Sequence, residues 1–194
     1  MSADELQLEH LTSKAIDLRT SLLPRLRDQV FHVTTAPAFG RILSMGVVLS
    51  NRNEQLPYTF PQSEVSFGRR RGYVCLFDLR RASDDAVSWA LDCFYFLDPG
   101  SSQRQDPVFL FVKDTSYGSL IPIEAAQGST GEMWIPRVEA WYPSDLPMSA
   151  VRSALVVNVQ REEEPASLTA VRQVNELFAA QLKAAAHKSQ PPSN

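Results

Sequence analysis

Two cysteines, Cys75 and Cys93, are the whole thiol content of 194 residues, and each sits inside an apolar run, YVCLF and LDCFYF. A thiol in such a setting behaves as a small buried hydrophobe, and two alone build neither a disulfide framework nor a zinc pattern. Apolar runs are short as well, and none approaches the roughly 18 residues needed to cross a bilayer. No basic segment followed by an apolar one opens the chain, so no signal peptide is expected, and a cytoplasmic setting is the expectation. Positive charge is in the minority, 19 Lys and Arg against 22 Asp and Glu. That balance argues against a uniformly basic nucleic-acid coat while leaving room for a local basic patch. A Walker loop, a GxGxxG turn, a nucleophile elbow and internal repeats are all missing.

What is present is enough apolar sequence, 44% of residues, to bury one sizeable core. From Asp4 to about Leu23, Leu8, Leu11, Ala15, Leu18 and Leu22 recur at spacings of three and four, which predicts a helix within residues 1–28, lying on the domain and ended or kinked by Pro24. Gln29 to Thr34 reads as a strand, followed by a helix with Pro37 in its first turn and Gly46 as its stop. Residues 54–71 hold prolines and few aliphatics and read as a long loop. GYVCLFDL (Gly72 to Leu79) is a strand, Ser83 caps a short helix through Trp89, and VFLFVK (Val108 to Lys113) reads as a strand buried on both faces. Met133 to Tyr142 and Ala154 to Val159 supply two more strands, Pro136 marking a bulge or a beginning in the first. Pro165 opens an amphipathic helix within 161–187, and 188–194 read as a disordered tail. The expected class is α+β, with a core over 29–160.

Three features bear on chemistry. His32, in VFHVTTAPAFGRILSMGVVLSNRN, is either a hydrogen-bonded core residue or a ligand-holding group at the end of its strand. Glu139, in RVEAWYPSDLPMSAV, alternates with apolar neighbours and either faces solvent or serves a site. Arg69, Arg70 and Arg71 precede the GYVCLFDL strand, and Arg80 and Arg81 follow it, as a solvated basic patch or a phosphate-facing one.

Taken together, the His-apolar-Thr strand, the Ile-Leu helix, the glycine and the later Glu-apolar-Pro segment resemble the ADP-ribosyltransferase superfamily, and most of all the DarT-type DNA ADP-ribosyltransferase toxins. The resemblance implies a split β-sheet core with flanking helices and NAD as substrate, with no metal. It further implies transfer of ADP-ribose to DNA or protein with loss of nicotinamide, and a neutralising antitoxin as a partner. By the same resemblance, Glu139 and an arginine matching Arg70 are catalytic, while His32, Val33, Thr34, Asn51 and Tyr73 hold NAD. Tyr117 is a second candidate for stacking on nicotinamide. Two departures qualify the match. Val33 stands where the diphtheria-toxin and poly(ADP-ribose) polymerase branches carry glycine. Arg137 stands where arginine-modifying members carry Glu or Gln, so arginine is disfavoured as acceptor. The alternatives are an inactive relative that binds or hydrolyses NAD, and a noncatalytic module whose terminal helices bind a partner.

Overall fold

The computed structural model describes residues 6–50, 56, 65–94 and 106–160. The chain divides into two units, Met1–Gln160 and Arg161–Asn194, and the second lies outside the described residues, with the helix expected over 161–187 and the tail over 188–194. The first unit is a mixed α+β fold built on an open six-stranded sheet.

In chain order the elements are β1 (Gln7–Lys14), α1 (Leu18–Leu26), β2 (Val30–Thr35), α2 (Ala36–Met45), β3 (Val47–Val48), α3 (Phe67–Arg70), β4 (Val74–Asp78), α4 (Asp84–Cys93), β5 (Pro107–Val112), β6 (Glu139–Tyr142), β7 (Leu146–Pro147) and β8 (Val151–Gln160). The main sheet runs β1-β8-β5-β2-β4-β6, and β3 pairs separately with β7. Only β1 and β8 are parallel; every other neighbouring pair is antiparallel.

β5 sits between β2 and β8, and all six of its residues are buried, as its unbroken apolar sequence predicts for a strand covered on both faces. One face of the sheet presents Phe31, Val33, Phe109, Phe111 and Leu155 to Leu18, Leu22 and Leu26 of α1 and to Val87, Ala90 and Leu91 of α4. The other presents Val30, Leu76, Val108, Leu110 and Ala154 to Phe39 and Ile42 of α2 and to Val48 and Leu146. Two signals in the sequence position α2. Pro37 fits the first turn, where a missing N–H costs nothing, and Gly46 takes the left-handed conformation (φ 70°) that stops the helix. Ser83 caps α4 by accepting the Ala86 N–H at 3.3 Å, and the helix continues one turn beyond the expected Trp89.

The expected N-terminal helix is a correction. Residues 7–14 form β1, paired with β8 from Gln7–Ser153 through Lys14–Gln160, and the helical stretch begins only after a 3-10 turn at Ala15–Asp17. Leu8 is 51% exposed on this strand, so the three-four spacing marks a buried helix face only from Leu18, where Leu18 and Leu22 of α1 enter the core. Pairing with β8, more than 140 residues away, overrode a local pattern only two heptads long. Pro24 lies within α1 rather than ending it. The expected loop at 54–71 holds a described helical turn, α3, at its end. Of the expected strand from Met133 to Tyr142, only Glu139–Tyr142 is regular, because residues 136–138 turn and Arg137 adopts a positive φ of 71°.

Candidate functional site

β2 and β4 pair over only two rungs, Val30–Asp78 and Phe31–Phe77, whereas β2 and β5 pair over five. Beyond Phe31 the two strands part, and the His32 ring enters the opening. There its Nδ1 lies 2.9 Å from the Cys75 carbonyl oxygen. A carbonyl only accepts, so Nδ1 carries the proton and the neutral ring offers Nε2 as an acceptor. Burial lowers the His32 pKa below its ordinary value, more than the Cys75 carbonyl raises it, which keeps the ring neutral at pH 7.

Glu139 stands on the other side of Cys75. It pairs with Phe77, which pairs with Phe31, and directly paired residues share a face. His32, one residue on from Phe31, therefore projects from the opposite face. Glu139 is 6% exposed, and its carboxylate is closed by donors. The Ile135 N–H donates to Oε2 at 2.6 Å, the Trp141 indole N–H donates to Oε1 at 2.8 Å, and the Cys75 thiol bonds the same group. The Glu139 N–H in turn donates to the Ile135 oxygen at 3.1 Å, which locks the 135–139 turn around the left-handed Arg137. Desolvation outweighs these donors and pushes the carboxyl up to about 7. Burial and the neighbouring Glu139 push the Cys75 thiol up to about 12, so it stays protonated and serves as a donor.

His32 and Glu139 thus meet on two sides of one residue, the first through its backbone and the second through its side chain. The other candidates divide. Thr34 is buried on the His32 face of β2, while the Val33 side chain goes into the opposite core, so only its backbone borders the strand opening. Tyr73 is half-buried against Phe67 and Trp141, in the Glu139 cluster rather than beside His32. Arg70 is exposed on α3 and donates to the Gly131 oxygen at 3.2 Å, away from both. Arg71 pairs with Glu132 at 2.7 Å and lies 3.7 Å over the Phe67 ring. The Tyr117 ring lies under the Arg80 guanidinium, 4.0 Å from its carbon, with Arg80 bound to both Asp78 oxygens. Asn51 lies outside the described residues.

Sequence reasoning missed Trp141 and Gly68. Trp141 follows Glu139 by two residues on a strand, which places both on one face, so the Glu-x-Trp spacing carried the signal. Gly68 gave no signal of its own. Among the described residues, no group of three His, Cys, Asp or Glu side chains gathers to hold a metal ion, and no helix is long and apolar enough to cross a membrane. Comparison of the chain with protein-family models, with curated proteins and with solved structures returns no match.

Proposed function

We propose that this protein binds NAD at the opening between β2 and β4 and transfers ADP-ribose from it to a nucleic-acid or protein acceptor. The observation that carries the reading is the His32 ring, held through its Nδ1–H on the Cys75 carbonyl where the β2–β4 ladder stops, which leaves Nε2 of the neutral ring as an acceptor. An acceptor held in that way suits a ribose hydroxyl, and it orients the dinucleotide without needing charge. Thr34 and the backbone of Val33 border the same gap and would face the nicotinamide end.

In the reaction, the bond from the anomeric carbon to nicotinamide breaks and its electron pair leaves with nicotinamide. Positive charge develops on the ribose, and a carboxylate nearby stabilises it through space and through the adjacent hydroxyl. The acceptor's oxygen or nitrogen then bonds to the anomeric carbon, and its proton passes to a base, a role a carboxyl titrating near 7 can fill. Glu139 is the carboxylate assigned here, and to act it exchanges the Ile135 donor on Oε2 for the ribose hydroxyl while the Trp141 indole keeps hold of Oε1.

A second reading, NAD binding without transfer, is favoured by the burial of Glu139 and by the Ile135, Trp141 and Cys75 donors that hold its carboxyl. Calorimetric titration with NAD, followed by incubation with labelled NAD plus oligonucleotide or cell extract, separates the two. Binding and label transfer are expected, with His32→Ala weakening binding about tenfold, the value of one hydrogen bond, and Glu139→Gln ending transfer while sparing binding. Binding without transfer selects the second reading. Absence of NAD binding rejects both and leaves a noncatalytic interaction module.

A further inference from the structure

We infer that Trp141 and Gly68 are positioning residues for Glu139, the indole N–H aiming the carboxylate and the bare backbone of Gly68 fixing where the indole lies. The inference rests on Glu139 as the carboxylate of the proposed site, and it adds two residues that touch neither NAD nor the acceptor.

The indole has one place to be. Trp141 exchanges two backbone bonds with Ile121, its N–H donating at 3.0 Å and its carbonyl accepting at 2.8 Å. Its ring is fully buried and tilts against Phe67 with centroids 4.5 Å apart. Gly68 closes the remaining side: a Cβ there would collide with Trp141 Cδ1 and stand 2.5 Å from Nε1 and 2.9 Å from Cys75 Sγ. No side chain fits between α3 and the indole.

α3 is itself held. Ser66 accepts the Arg69 N–H at 3.3 Å, the Phe67 N–H donates to the Met133 oxygen at 2.9 Å, and Arg71 stacks on Phe67 while pairing with Glu132. The arginine turn and the carboxylate are therefore joined through Gly68, Phe67 and Trp141.

The groups around Glu139 explain why one donor matters. From β4 it meets the Cys75 thiol, from its own turn the Ile135 amide, and from its own strand the indole. Arg137, on that turn, is exposed, and Arg70 of α3 and Arg71 just beyond it bond Gly131 and Glu132. Arg69, also on α3, contributes its backbone to Cys75. His32 addresses only the Cys75 carbonyl. Neutral donors alone support the ionised carboxylate, so removing the indole N–H destabilises that form directly.

The test is the 13C NMR titration of the Glu139 side-chain carboxyl in the full chain. The unsubstituted protein is expected to titrate at about 7. Three variants follow: Trp141→Phe, Gly68→Ala, and replacement of Trp141 by benzothienylalanine, which swaps the N–H for sulfur at nearly constant shape. Each midpoint is expected to rise by about one to two pH units, the worth of one hydrogen bond to a charged group. Should Trp141→Phe fail to fold, the isosteric replacement and Gly68→Ala decide. An unmoved midpoint in a folded variant overturns the inference. NAD consumption, measured in parallel, keeps the two questions apart. A raised midpoint in the variants, with no NAD consumption by the unsubstituted protein, leaves the positioning role standing and removes the transferase reading. An unmoved midpoint with normal consumption does the reverse.

Discussion

Asp78 and Glu139 flank a single rung of the sheet, yet they live in different solvents. Asp78 follows Phe77, the partner of Glu139, and alternation along β4 turns the two carboxylates to opposite faces. Asp78 meets Arg80 through both oxygens, at 2.9 and 2.6 Å, with each side chain a quarter to a third exposed. That carboxylate in turn holds the Arg80 guanidinium charged, above its ordinary value. Glu139 is bound by an amide, an indole and a thiol, none of them charged, and is pushed up to about 7. Proximity in the sheet thus says little about a carboxylate's chemistry; what decides it is whether its partners are cations near water or neutral donors away from it.

The contrast can be broken from the Glu139 side first. Trp141→Ala removes a fully buried ring and a donor together, and a loss of about 3 to 5 kcal/mol is expected in urea denaturation. The next effect is one of pH. Because the folded value of Glu139 lies above the ordinary 4.5, its contribution is fully present below pH about 4.5 and is lost as pH rises through about 7. Comparing the native chain with Glu139→Gln across that window, the native chain should lose about 3 kcal/mol relative to the variant. A flat difference would show that Glu139 titrates normally. Gly68→Ala comes third, at about 1 to 3 kcal/mol by calorimetry, since Trp141 has to shift to admit the methyl. Smallest is Asp78→Asn, expected to cost less than about 1 kcal/mol and to matter less still in high salt, as for other pairs near water. A cost for Asp78→Asn equal to that of Gly68→Ala would dissolve the comparison.

Local signals in the sequence served where local physics decides. Pro37 and Gly46 bounded α2, Ser83 started α4, and the apolar run of β5 announced a strand buried on both faces. They failed where the outcome depends on a distant partner. Leu8 and Leu11 fit a helical spacing, but β8 recruited them into a strand. The same limit hid the relation of His32 to Glu139. Each sits on a strand as expected, but the face each takes depends on how β2, β4 and β6 register, and no spacing within either segment encodes that. Arg70 is one of three adjacent arginines whose register the sequence leaves open, and in the structure it is exposed and donates to the Gly131 oxygen.

The pairing of β1 with β8 also bears on synthesis. Gln7 meets Ser153 and Lys14 meets Gln160, so β1 leaves the ribosome long before the strand that completes it. At about 5 to 20 residues per second, the interval is on the order of 10 to 30 s. Until residues 153–160 are made, β1 has no partner strand in this sheet, so this edge cannot form before then.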